Sequence, residues 1–225
     1  DMPTLLMIHG LGGCHASPYM VRLADRFHRL GWTVVRADMR GCGAARSLAR
    51  GLAHAGRSDD VAAMIEFVAS RYPNAPLAAL AVSLGGNQLL RLLGRVGAGL
   101  EDPPLGIDRL YRVAVVAPPI DLVRCSENMG RFSRRIYNHY FIRALFQGVG
   151  PQVQQSELFR RVAAEGRPRT LFELDDRLTA PLSGFAGAMD YYRRCGAVSV
   201  AAVNPIETLV LAAADDPIVP ADCFH

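Results

Sequence analysis

Ala81-Val82-Ser83-Leu84-Gly85-Gly86 joins the apolar run Leu77–Val82 to the amphipathic run Leu84–Val96, and this junction decides the fold. A strand that turns directly into a helix at a serine bends so sharply that the residues two before and two after must be small. Here they are Ala81 and Gly85; alanine stands where glycine is usual and still meets the steric requirement. The bend would hold Ser83 Oγ at a helix N-terminus, where free amides and the helix dipole favour developing negative charge. Alone, Ser-x-Gly-Gly after a strand also fits an ordinary strand-to-helix turn, so the flanking segments must decide.

Upstream and downstream, strand and helix signals alternate, the pattern of a parallel sheet with crossover helices. Thr4–His9, Trp32–Ala37, Leu77–Val82, Tyr111–Ala117 and Glu207–Ala213 read as strands. Ser17 and Pro18 open a helix as N-cap and first helical residue, and Gly31 closes it. Within it Met20, Leu23, Ala24, Phe27 and Leu30 share one face. A further helix runs from about Ser58 to Arg71. From about 120 to 200 the rhythm changes to helical, aromatic and Arg-rich, and an insertion of that kind is commonly a lid over an active site. The chain therefore reads as one domain, with a sheet core at about 1–119 and 201–225 and a helical lid at about 120–200.

His9-Gly10-Leu11-Gly12-Gly13 follows the first strand, where a loop can bring a backbone amide beside Ser83. The expected oxyanion hole is the N–H of Leu84 with the N–H of Leu11. His9 reads as a hydrogen-bonding residue of this loop rather than a catalytic base. No GxGxxG or GxxxxGK[ST] phosphate pattern is present. Asp215-Asp216-Pro217 follows the last strand, and the order Ser then Asp suits a catalytic triad. Asp216 is favoured because Pro217 fixes the turn after it; Asp215 remains an alternative, and either residue could simply cap a turn.

With these pieces in place the sequence resembles the YheT-type α/β hydrolases, the branch that includes ABHD1- and ABHD3-like lipid esterases. The resemblance rests on the His9–Gly13 loop with Ser17 and Tyr19, Arg40-Gly41-Cys42-Gly43, Asp59-Asp60, Ser83-Leu84-Gly85-Gly86-Asn87 and Pro119-Ile120-Asp121-Leu122. Its most specific block is Phe172-Glu173-Leu174-Asp175-Asp176, Thr179-Ala180-Pro181, Gly184-Phe185 and Tyr191-Tyr192. It spans Leu5 to Pro220 and implies an α/β-hydrolase fold, with a mostly parallel, doubly wound sheet. It also implies cleavage of carboxylic, acylglycerol or phospholipid esters by a Ser-Asp-His triad, without a cofactor.

The histidine of that triad is expected one strand further on, roughly 25 residues past the acid. His225 lies nine residues past Asp216, too close for that arrangement, and His9, His15, His28, His54 and His139 all precede the acid. The expectation is that N- and C-terminal parts of the fold, including the catalytic histidine, lie outside this chain, which would leave it crippled or inactive.

All 25 basic residues are Arg, and against 21 acidic residues they leave a net charge of +4. They are scattered through every segment, unlike the clustered basic stripe of a nucleic-acid protein. This reads as genome composition, with no nucleic-acid partner expected. Five widely spaced cysteines without a CxxC argue against a disulfide framework and a zinc site, and fit a reducing compartment such as the cytoplasm. No metal-ligand cluster is visible, and no apolar stretch reaches the ~18–20 residues of a membrane span. Membrane contact through absent segments stays open. A small-molecule or lipid ester is the expected substrate; an acyltransferase, or a binding protein on the same scaffold, are the alternatives.

Overall fold

The computed structural model describes residues 2–224, apart from the side chain of Ala45; His225 lies outside the described residues. Five strands, β1 (Thr4–Ile8), β2 (Thr33–Ala37), β3 (Leu77–Val82), β4 (Leu110–Val116) and β5 (Thr208–Leu211), form one sheet in the order β2-β1-β3-β4-β5. Every pairing is parallel. The expected strands are all present: β3 has the expected bounds, β1, β2 and β5 are shorter by one to three residues, and β4 is displaced by one.

Alternation along β1 shows why the sheet is covered on both faces. Leu5 and Met7 pack with Met20 of helix α1 (Pro18–Arg29), whereas Leu6 and Ile8 point to the opposite face. There they join Val61, Ile65 and Val68 of α2 (Ser58–Arg71) and Leu89, Leu92 and Leu93 of α3 (Leu84–Gly97). Successive strand residues face opposite sides, so an unbroken apolar run marks a strand buried on both.

Ser17 occupies the N-cap position of α1, but its hydroxyl caps nothing in that helix. Instead it accepts the Cys14 amide at 3.0 Å, tying the preceding loop. Between β4 and β5 lie only helices among the described residues: α4 (Leu122–Met129), α5 (Arg135–Gly148), α6 (Pro151–Gln154), α7 (Glu157–Glu165), α8 (Leu171–Leu174), a π-turn over Asp175–Thr179, α9 (Ala180–Leu182) and α10 (Ala188–Cys195), with short 3-10 turns. No helix of the described residues is long and apolar enough to cross a membrane.

Register places the loops that matter. Ile8 is level with Ala37 on one side and Ala81 on the other, so the chain leaves β1, β2 and β3 at neighbouring points of one sheet edge. In parallel sheets this carboxyl edge is where ligands bind.

Candidate active site

Ser83 stands between β3 and α3 with φ 51° and ψ −120°, one of two non-glycine residues at positive φ among the described residues. A conformation of this kind costs about 1–3 kcal/mol and persists only where its surroundings hold it. Here the Ser83 amide donates to Val116 O at 2.7 Å, and Ser83 O accepts the Asn87 amide at 3.1 Å. The small neighbours are required sterically. A Cβ on Gly85 would lie 2.6 Å from His9 O and 2.7 Å from Ile8 Cγ2. Gly10 is packed against the serine itself: a Cβ there would meet Ser83 Cβ at 3.1 Å and Oγ at 3.8 Å.

The loop after β1 is held in place by its own polar groups. Tyr19 hydroxyl accepts the Gly10 amide at 2.8 Å, and the Gly13 amide donates to Gly10 O at 3.1 Å. His9 is fully buried; its Nδ1 donates to Gly10 O at 2.8 Å and its Nε2 accepts the Met39 amide at 3.0 Å. Burial lowers its pKa and favours this neutral ring. His15 is taken by Asp38, which accepts both its amide and its ring nitrogen. Among the described residues the Leu11 and Leu84 amides donate no hydrogen bond within the protein.

Ser83, Leu11 and Leu84 line one cavity of about 440 Å³, roofed by residues of α4, α5, α8 and α10. Its wall is mainly apolar, with Leu122, Met129, Phe141, Leu145 and Val219 among the contributors. Asp216 does not line it, although Ile218 and Val219 do. Asp216 Oδ1 accepts the Ile218 and Val219 amides at 2.8 and 3.0 Å, which fixes the carboxylate; Asp215 is exposed. The structure therefore brings Ser83, Leu11 and Leu84 together and sets Asp216 at the margin.

Two ionisable wall residues have no role that the sequence assigns. His54, read there as a loop residue, is buried with its ring edge-on to Phe185 and Tyr191, and burial, then Arg57, pushes its pKa down to about 4. Asp175 receives the Tyr192 hydroxyl at 2.7 Å, and burial pushes its carboxyl up to about 6. It lines the cavity that holds Ser83. Its place at the head of a π-turn could not be read from periodicity, although the Asp175-Asp176 motif itself had been singled out.

Other motif residues also find partners. Arg40 forms a two-pronged ion pair with Asp60, and Asp121 caps α4 by accepting the Arg124 amide at 3.0 Å. No group of three or more His, Cys, Asp or Glu side chains among the described residues is placed to hold a metal ion.

A family model described as the alpha/beta hydrolase fold matches residues 3–222. The chain belongs to the α/β-hydrolase fold family. Among relatives of this chain, the Escherichia coli (strain K12) protein named "Putative esterase YheT" is 31% identical over 219 residues, covering 96% of this chain and 62% of its own. The Saccharomyces cerevisiae (strain ATCC 204508 / S288c) protein named "Medium-chain fatty acid ethyl ester synthase/esterase 2" is 27% identical over 248 residues, covering 99% and 53%. The chain thus spans about half to three fifths of the length of these relatives. The crystal structure of Paleococcus ferrophilus monoacylglycerol lipase superposes with a TM-score of 0.56 at 17% identity, over 100% of this α/β hydrolase and 79% of that chain, a likeness of fold. The YheT-type resemblance noted from the motifs is supported by the first of these relatives.

Proposed function

We propose that this α/β hydrolase is a serine esterase that cleaves carboxylic esters, with fatty acyl esters of lipids as its substrate class. The observation that carries this reading is the backbone of Ser83, held at positive φ at the start of α3 beside Gly10 and facing the cavity. Ser83 Oγ bonds to the ester carbonyl carbon while its proton passes to a base. The Leu11 and Leu84 amides receive the oxyanion; donors of this kind are each worth about 3 kcal/mol. The bond to the alcohol oxygen then breaks, the base returns the proton to that oxygen, and water releases the acyl group from Ser83 in the same way.

Asp216 is proposed as the acid that orients the base, because two backbone amides hold its carboxylate in place. The base is proposed to be a histidine outside residues 2–224. Ser83 Oγ has no hydrogen bond to a histidine among the described residues; His9 and His15 are committed elsewhere, and His54 is too weak a base near pH 7. The helices between β4 and β5 are proposed as a lid, and their contribution to the cavity supports this. A cytoplasmic setting is proposed on the odd number and wide spacing of the five cysteines.

A second reading is acyl transfer to an alcohol in place of water, favoured by the combined synthase and esterase name of the yeast relative. Both readings share the acyl-Ser83 intermediate. Treatment of the full-length protein with a fluorophosphonate, followed by intact mass, is expected to give one adduct that Ser83→Ala abolishes. Undiminished ester turnover by Ser83→Ala would overturn the proposal. Product analysis with an added alcohol separates hydrolysis from transfer.

A further inference from the structure

Between Glu127 and Glu157 the sequence has no acidic residue, yet it carries Arg131, Arg134, Arg135 and Arg143. Elsewhere the two signs cancel, since the chain as a whole holds 25 basic and 21 acidic residues. The excess positive charge is therefore concentrated on α5, the 3-10 turn Phe132–Arg134 that leads into it and Arg131 just before that turn.

The same segment exposes three large apolar side chains. Phe132 is 81% exposed, Ile136 80% and Tyr140 66%. Ile136, Tyr140 and Arg143 lie at helical spacing along one face of α5, and Phe132 sits in the turn that leads into it. Exposed Arg131 and Arg135 flank it, with the Arg135 guanidinium 5.0 Å from the Phe132 ring centre. Single exposed apolar residues are ordinary; a row of them framed by one sign of charge marks a contact surface.

The opposite face of α5 is fixed to the body of the protein. Asn138 is buried, donating to Met129 O at 2.7 Å and accepting the Leu171 amide at 2.8 Å, and Ile142 packs beneath it with Leu174 and Leu178. Phe141, Ala144 and Leu145 of the same helix line the cavity that holds Ser83. One helix thus turns an apolar and basic face outward while its inner side forms part of the cavity wall.

We propose that the outer face of α5, with the turn that precedes it, docks this protein onto an anionic lipid surface, with Phe132, Ile136 and Tyr140 entering the interface and Arg131, Arg135 and Arg143 at the headgroups. Aromatic and aliphatic residues bordered by arginine suit the boundary between acyl chains and negatively charged headgroups. A second copy of the chain is disfavoured as occupant, because a symmetric contact through this face would set arginines against arginines with no acid between. Docking would bring the cavity beside a lipid surface, and that consequence for turnover rests on the proposed esterase reading; the binding itself does not.

The test is sedimentation of the full-length protein with vesicles of phosphatidylcholine alone or mixed with phosphatidylserine, at low and high salt. Binding to the mixed vesicles should exceed binding to neutral ones at least tenfold and weaken with salt. Phe132→Ser/Ile136→Ser/Tyr140→Ser and, separately, Arg131→Gln/Arg135→Gln/Arg143→Gln should each lower it at least tenfold, with unchanged thermal melting. Equal binding by parent and variants, or no binding to anionic vesicles, overturns the proposal. So does a parent dimer in sedimentation velocity that the Ser variant makes monomeric, or vesicle binding replaced by capture of a soluble acidic polypeptide. Fluorophosphonate labelling and turnover of a water-soluble short ester, measured alongside, report on Ser83 and leave the vesicle result to stand or fall by itself.

Discussion

Asn87 Oδ1 accepts the backbone amide of Ala197 at 2.9 Å, joining the first turn of α3 to the end of the helical segment between β4 and β5. Its Nδ2 donates to Ala55 O and Cys195 O at 3.0 and 3.1 Å, and the side chain is fully buried. One residue, four places after Ser83, therefore ties together three parts of the chain.

Asn87→Ala should be among the most damaging single changes in the protein. It leaves three buried backbone groups without a partner, each a loss of about 1 kcal/mol or more. Urea unfolding is expected to report about 3–5 kcal/mol of destabilisation; a loss below about 1 kcal/mol would mean that water replaces the amide.

Gly85 and Gly31 separate crowding from backbone strain. Gly85→Ala puts a methyl within 2.7 Å of both His9 O and Ile8 Cγ2, forcing α3 away from β1. Gly31 has φ +86° but nothing within 4 Å of a Cβ, so Gly31→Ala meets only strain. Expected losses are about 3 kcal/mol for the first and about 1–2 kcal/mol for the second. Only the first should also diminish fluorophosphonate labelling of Ser83.

Tyr19→Phe removes the acceptor of the Gly10 amide, next to the proposed donor Leu11. Stability should fall by about 1 kcal/mol. If the loop positions an oxyanion donor, kcat should fall about tenfold with KM little changed. A change confined to KM would assign the loop to substrate binding instead.

Asp175 and His54 should give opposite pH dependences. Burial raises the Asp175 carboxyl from 3.8 to about 6, so the folded state holds its proton more tightly than the unfolded chain. Its penalty on stability grows as pH rises from about 4 to 6 and is constant above, at about 3 kcal/mol. The stability of Asp175→Asn relative to the parent should therefore increase over that window. Burial and then Arg57 depress His54 from 6.5 to about 4, so its stabilising effect is complete above pH 6.5 and is lost as pH falls through about 4. His54→Gln should flatten that acid limb. Denaturant titrations of parent and variants from pH 4 to 8 check both, and parallel curves would contradict the burial argument.

The sequence by itself determined the strands, the first three long helices and the bend at Ser83. These depend on local rules: a period of two or 3.6 residues, glycine at turns, and small side chains around a sharp reversal. Ser17 shows the limit of such rules, since it was placed correctly at the start of α1 while its hydroxyl serves the preceding loop. Only the tertiary structure decided that Asn87 meets Ala197, that Tyr191 hydroxyl accepts the Ala55 amide 136 residues away, and that His54 and Asp175 face the cavity holding Ser83. Nor could periodicity reveal that Phe132, Ile136 and Tyr140, in α5 and the turn before it, face solvent, since aromatics at helical spacing more often pack inward. The physical reason is the same in each case. Periodicity shows which residues share a face, but what that face meets depends on how distant segments pack across the ends of the strands.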